Sequence, residues 1–223
     1  MKKIIFFGFL ILSVAGMKAQ SDKYLKAMEP NVAALDTSHS PEAFAELSNT
    51  FQRIADAEKT QWLPYYYAAL TSVMGGITMQ GATVDKTDPL ADKAESLLEK
   101  AVALQKANTG ASAAKENSEI FIVRKMISTL RMMADPMNRY QTQVPLGKEA
   151  LEKAKSLNPE NPRVPMLEGQ DLYYTPEEYG GSKEKAKVLF EESMKKFEAS
   201  KPSSPIDPHW GLNQVKYFYS LYK

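Results

Sequence analysis

The segment Tyr173–Phe190 reads YYTPEEYGGSKEKAKVLF. Gly180, Gly181, Ser182, Lys183 and Lys185 are the residue types of a phosphate cradle, in which backbone amides at a helix start face an anion. Their spacing does not fit one. A Walker loop needs Gly-x4-Gly-Lys-Ser/Thr behind a hydrophobic strand, whereas Tyr173 to Tyr179 reads as a helix end followed by a capped turn. The same residues suffice for a hinge, with Gly180 and Gly181 reversing the chain and Ser182 capping the next helix.

The other polar candidates carry no reaction either. His39 and His209 have no second histidine or acid at metal-ligand spacing, so no metal site is expected. Neither has a nucleophile and an orienting acid beside it. Glu177 and Glu178, like Glu191 and Glu192, are neighbours in sequence, so each pair points to different helix faces and makes no acid/base couple. The expectation is a protein that is not an enzyme, with no catalytic residue and no cofactor. What remains is a possible ligand surface. Arg124 and Arg131, seven apart, share one helix face and could hold a carboxylate between them; the competing reading is pairing with acids of neighbouring helices. Tyrosines cluster at Tyr65–Tyr67, Tyr173/Tyr174 and Tyr217–Tyr222. Most must be core, but consecutive rings cannot all point inward, which makes Tyr66 and Tyr173 candidates to line a groove. Met126, Met132 and Met133 read as packing.

These residues have to be positioned by helices. A polar residue followed by proline recurs at Ser40-Pro41, Asp88-Pro89, Asp135-Pro136, Asn161-Pro162, Thr175-Pro176 and Asp207-Pro208. The polar side chain can accept orphan amides of a helix start, and proline fits the first helical position. Between them the apolar spacing is helical: Phe44, Leu47, Phe51 and Ile54 fall at steps of three and four. Residues 91–104, 146–157 and 183–197 repeat the amphipathic pattern, and Glu119–Met133 is apolar on more than one face, as a central helix would be. No sustained period-two alternation is present. The fold class expected is all-α, with about eight or nine helices.

Three helices share one spacing. Ala94, Leu98 and Ala101 fall at i, i+4 and i+7; so do Gly147, Leu151 and Ala154, and Ala186, Phe190 and Ser193. Small, large, small lets a second helix approach closely. With Pro159 five residues past Ala154, the pattern resembles the second helix of a tetratricopeptide repeat, and Leu167-Glu-Gly169 followed by Tyr173 resembles the first helix of the next. The strings LYYTPEEYGGSKEKA and KPSSPIDPHWG are similar to small exported proteins of this type from Bacteroidota. The resemblance implies a right-handed superhelical array of antiparallel helix pairs, with degenerate repeats near 41–80, 88–135, 145–175 and 182–222. It implies no catalytic residues. The stretch Gln105–Glu116, small and polar, reads as a loop inserted between repeats.

The chain opens MKKIIFFGFLILSVAGMKAQ. Two lysines, a short apolar run and small residues read as a signal peptide over 1–20, cut near Ala19/Gln20. The run is too short to span a membrane, and with no cysteine in the chain a lipoprotein acyl site is excluded. Removing Lys2, Lys3 and Lys18 turns the formal charge of +1 into −2, so no basic excess remains to draw nucleic acid or an anionic membrane. Residues 21–223 are expected to form one exported domain in the periplasm, able to bury its core without disulfides. Such arrays present extended surfaces to peptides or proteins, so the expected function is a non-catalytic scaffold with a protein or peptide partner in the envelope. The alternative is a small-molecule-binding subunit serving an envelope transporter. The C-terminal VKYFYSLYK lacks the polar outer face usual for a terminal repeat; it is expected to pack back or to support self-association.

Overall fold

The structure, a computed structural model, describes residues 22–109 and 117–222, with 106–109 as backbone only. The expected signal peptide lies outside the described residues. The chain is all-helical: α1 (22–34), α2 (Pro41–Glu58), α3 (Trp62–Ile77), α4 (Val84–Thr109), α5 (Ser118–Ala134), α6 (Pro136–Leu157), α7 (Arg163–Tyr174), α8 (Lys183–Ala199) and α9 (Leu212–Ser220), with no strand among the described residues. Two 3₁₀ turns, Leu35–Thr37 and Glu177–Tyr179, join the set. From α2 onward, helices adjacent in sequence pack as neighbours, α3 also packs on α5, and α9 closes on α8. Short connections between packed helices enforce antiparallel neighbours. No described helix is long and apolar enough to cross a membrane.

The small-large-small positions behave as spaced. Ala94, Leu98, Ala101, Gly147, Leu151, Ala154, Ala186, Phe190 and Ser193 are all buried. Phe190 inserts against Gly169, where an added Cβ would stand 2.6 Å from its ring. The Ser193 hydroxyl donates to the Pro162 carbonyl at 2.7 Å, tying α8 to the start of α7.

Proline pairs start three helices. The Ser40 hydroxyl accepts the Ala43 amide at 3.2 Å. Asn161 accepts the Arg163 amide at 3.0 Å. Asp135 precedes α6 without a side-chain cap, its carboxylate taken by Asn138. The other three pairs behave differently. Pro89 lies inside α4, because the Thr83 carbonyl already accepts the amides of Lys86 and Thr87 and opens the helix five residues earlier. Pro176 leads only into a 3₁₀ turn. Asp207-Pro208 starts no helix, and α9 begins at Leu212 after Gly211; His209 therefore sits in a loop. Nor is the insert a loop from its first residue, since α4 runs on through Thr109; residues 110–116 lie outside the described residues.

The Gly-Gly-Ser segment is a hinge. Gly180 takes φ +93°, a backbone region costly to other residues, and ends the 3₁₀ turn. Ser182 accepts the Lys185 amide at 3.3 Å and caps α8. The Gly181 amide donates to the Pro176 carbonyl at 3.1 Å and the Ser182 amide to the Leu172 carbonyl at 3.0 Å, so these amides face their own chain rather than an anion. A Cβ on Gly181 would stand 1.7 Å from the Thr175 carbonyl oxygen. Gly181→Ala is therefore expected to cost about 3 kcal/mol or more, the severe end of overpacking, read from the denaturation midpoint. An unchanged midpoint would show that the loop yields freely.

Candidate functional site

Helix α5 presents two functional-looking faces. On the first, facing α3 and α7, Glu119 sits in the apolar run EIFIV and is buried. Its carboxylate accepts from the Tyr66 hydroxyl at 2.9 Å, Asn161 Nδ2 at 2.8 Å and Arg163 Nη1 at 3.0 Å. Tyr66 in turn accepts the Trp210 indole N–H at 2.9 Å, and the Arg163 guanidinium lies 4.7 Å from the Trp210 ring. Burial is the first cause that raises the Tyr66 hydroxyl well above its ordinary pKa, with the Glu119 charge adding to it. Tyr67 donates to the Ile206 carbonyl at 2.8 Å. The chain's own segment around Ile206–Trp210 thus covers this face, so its polar groups hold a fold together and are closed to an outside peptide.

The second face is open. Across α5, between α4 and α6, runs a cleft of about 1190 Å³, larger than the about 300–1,000 Å³ usual for small-molecule sites. From α5 it receives Phe121, Arg124, Ile127 and Arg131. Helix α4 adds Glu95, Leu98 and Glu99; α6 adds Arg139, Leu146, Ala150 and Lys153 among others. Gly147 lets α6 close onto α5, since a Cβ there would meet the Lys125 stem at 3.1 Å and the Ser128 hydroxyl at 3.3 Å. Ser128 donates to the Gln143 carbonyl beside it. None of residues 136–146 is buried, so the first half of α6 stands as a wall with Met137, Tyr140 and Leu146 in solvent.

The cations of the cleft are held in different ways. Arg139 is locked: both its terminal nitrogens donate to Asp88, at 2.6 and 2.8 Å, and these bonds hold the Asp88 carboxyl below its usual range. Arg131 donates through one nitrogen to Asp92 at 2.6 Å and Glu95 at 3.0 Å. Arg124 is exposed and makes no salt bridge among the described residues; its guanidinium rests 5.4 Å from the Phe121 ring. The Lys153 ammonium lies 6.0 Å from the centre of the same ring.

Of the residues singled out from sequence, Arg124 and Arg131 do share one cleft. Tyr66 does not line it: its ring is fully buried because α3 sits at the centre of the stack, and its hydroxyl is spent on Glu119. Tyr173 stands elsewhere, in an aromatic cluster with Tyr174, Phe218 and Tyr222 at the α7–α9 end. Phe121, Leu146 and Lys153 were not legible as a set, because which faces of α5 and α6 meet is decided by packing and not by either helix's own spacing. Glu119 had a signal, an acid amid apolar residues.

The site is thus an open cleft in an all-helical stack, its lining mostly polar and charged, with Leu98, Phe121, Ile127, Leu146 and Ala150 as its apolar patches. No family model matches the chain, and no curated protein matches it. Among solved structures it is similar to the HusA haemophore from Porphyromonas gingivalis, with 34% sequence identity, 90% of this chain and 92% of that chain covered, and a TM-score of 0.75. The chain belongs to the family of that haemophore.

Proposed function

We propose that the protein is a non-catalytic carrier of a haem-type porphyrin, held in the cleft over α5. A porphyrin is a flat apolar disc with two carboxylates on one edge. Phe121, Leu146, Ile127 and Ala150 suit the disc, and Arg124 and Arg131 suit the carboxylates. The observation that carries this reading is the pairing of a haemophore relative at 34% identity with an exposed arginine on the floor of the cleft, Arg124, that has no ion pair among the described residues. It favours a small planar ligand over a peptide, since the face shared by α3, α5 and α7 is filled by the chain itself. The signal-peptide pattern supports export, and the small-large-small spacing supports a tetratricopeptide-like origin of the helix pairs.

The described residues lining the cleft include no histidine, methionine or tyrosine, the side chains that ligate haem iron. Binding there would rest on the macrocycle and its carboxylates. Spectroscopic titration of the purified chain is expected to give dissociation constants for haem and for metal-free protoporphyrin within about tenfold of each other, a 1.4 kcal/mol window. A preference for the iron form well beyond that, with a spectrum of axial ligation, would move the site away from this cleft.

A further inference from the structure

We infer that Asp92 and Glu95 are built-in stand-ins for the ligand's carboxylates, holding Arg131 in the free protein until a dicarboxylic porphyrin displaces them. The inference rests on the cleft being the porphyrin site. The arginines there differ in how firmly they are tied. Arg139 grips both oxygens of Asp88 and also donates to the Arg131 carbonyl at 3.3 Å, so it braces α6 against α4 and cannot turn to a ligand without unlocking that brace. Arg124 has no carboxylate to give up among the described residues. Arg131 is the intermediate case. Its side chain is 20% exposed, yet its partners Asp92 and Glu95 are 68% and 61% exposed. Ion pairs of such exposed carboxylates are cheap to break, and the released acids fall back into water rather than being stranded in the interior.

Only one terminal nitrogen of Arg131 makes these two bonds. The other stands 3.9 Å from Asp88, too far for a hydrogen bond, which keeps the guanidinium near α4 with donor capacity to spare. Arg124 and Arg131 are seven residues apart, about 10.5 Å along the helix, and both side chains are long enough to converge on the two carboxylates of one edge. The consequence is a specificity device. A porphyrin without free carboxylates gains nothing from Arg131, and one with them gains only the difference between its own pairing and the one it replaces. The internal pair lowers the population of binding-competent Arg131 and so taxes affinity for the diacid.

The test compares protoporphyrin with its dimethyl ester, by fluorescence or absorbance titration, in the wild-type chain and in Asp92→Asn/Glu95→Gln. The expected result is diacid binding about fivefold tighter in the double variant, the scale of two exposed ion pairs, with ester affinity unchanged. A charge-matched double change of cleft acids that do not touch Arg131, Glu99→Gln/Glu149→Gln, is expected to give clearly less. An acid-to-ester ratio equal in wild type and double variant, or a gain matched by the Glu99/Glu149 control, overturns the exchange while leaving the cleft in place. If the wild-type chain binds neither porphyrin, the proposed function falls and the exchange with it.

Discussion

Glu119→Ala is expected to destabilise the protein by about 3–5 kcal/mol, the loss measured when one member of a buried ion pair is removed. The Arg163 side chain is 3% exposed and the Glu119 side chain 12%, so neither can turn to water. Among the described residues Arg163 Nε and Nη2 have no hydrogen-bond partner, and the guanidinium lies against the Phe197 and Trp210 rings; without Glu119 the third donor group, Nη1, loses its acceptor too. The change would also strip the acceptor from Tyr66 and one of the two acceptors from Asn161, which keeps Ser118; these groups tie α3 and α7 to α5. A surface comparison separates the pair from carboxylate loss in general. Glu168→Ala removes the partner of Lys155, 55% exposed, and is expected to cost less than about 1 kcal/mol. Denaturant titration of both variants measures the contrast. If Glu119→Ala loses no more than Glu168→Ala, the network is ornament rather than support.

The same network shows what a sequence can and cannot disclose. Helices α2, α5 and α8 are legible because apolar spacing and capping residues are local, and Ser40 and Ser182 act within a few residues of themselves. The small-large-small positions are legible for the same reason: one helix's own spacing decides which side chains can be approached. Pro89 misleads because a carbonyl six residues before it had already opened the helix. Tyr66 misleads because burial depends on where α3 sits among its neighbours, which no local pattern records. The cleft is half legible. Arg124 and Arg131 share a face by helical arithmetic alone, whereas Lys153 and Leu146 join them only once α6 folds back over Gly147.

The largest effect on binding is expected from Phe121→Ala, which should weaken porphyrin affinity by about 30-fold or more, corresponding to about 2 kcal/mol for an aromatic anchor. The ring is half-buried on the cleft floor and offers the macrocycle a flat apolar face. It also carries Arg124 at 5.4 Å and Lys153 at 6.0 Å, so its removal would take away the ring on which the Arg124 guanidinium rests. Both losses act on the ligand and spare the buried network, so the folded state should survive with a modest loss. The control is Tyr174→Ala, in the aromatic cluster at the α7–α9 end, where the ring is 70% exposed. If the ligand sits over α5, Tyr174→Ala binds as the unaltered chain does. If instead Tyr174→Ala abolishes binding and Phe121→Ala does not, the tyrosine-rich end is the ligand site, and Arg131 and Arg139 are what their acids make them, braces of α5 and α6 against α4.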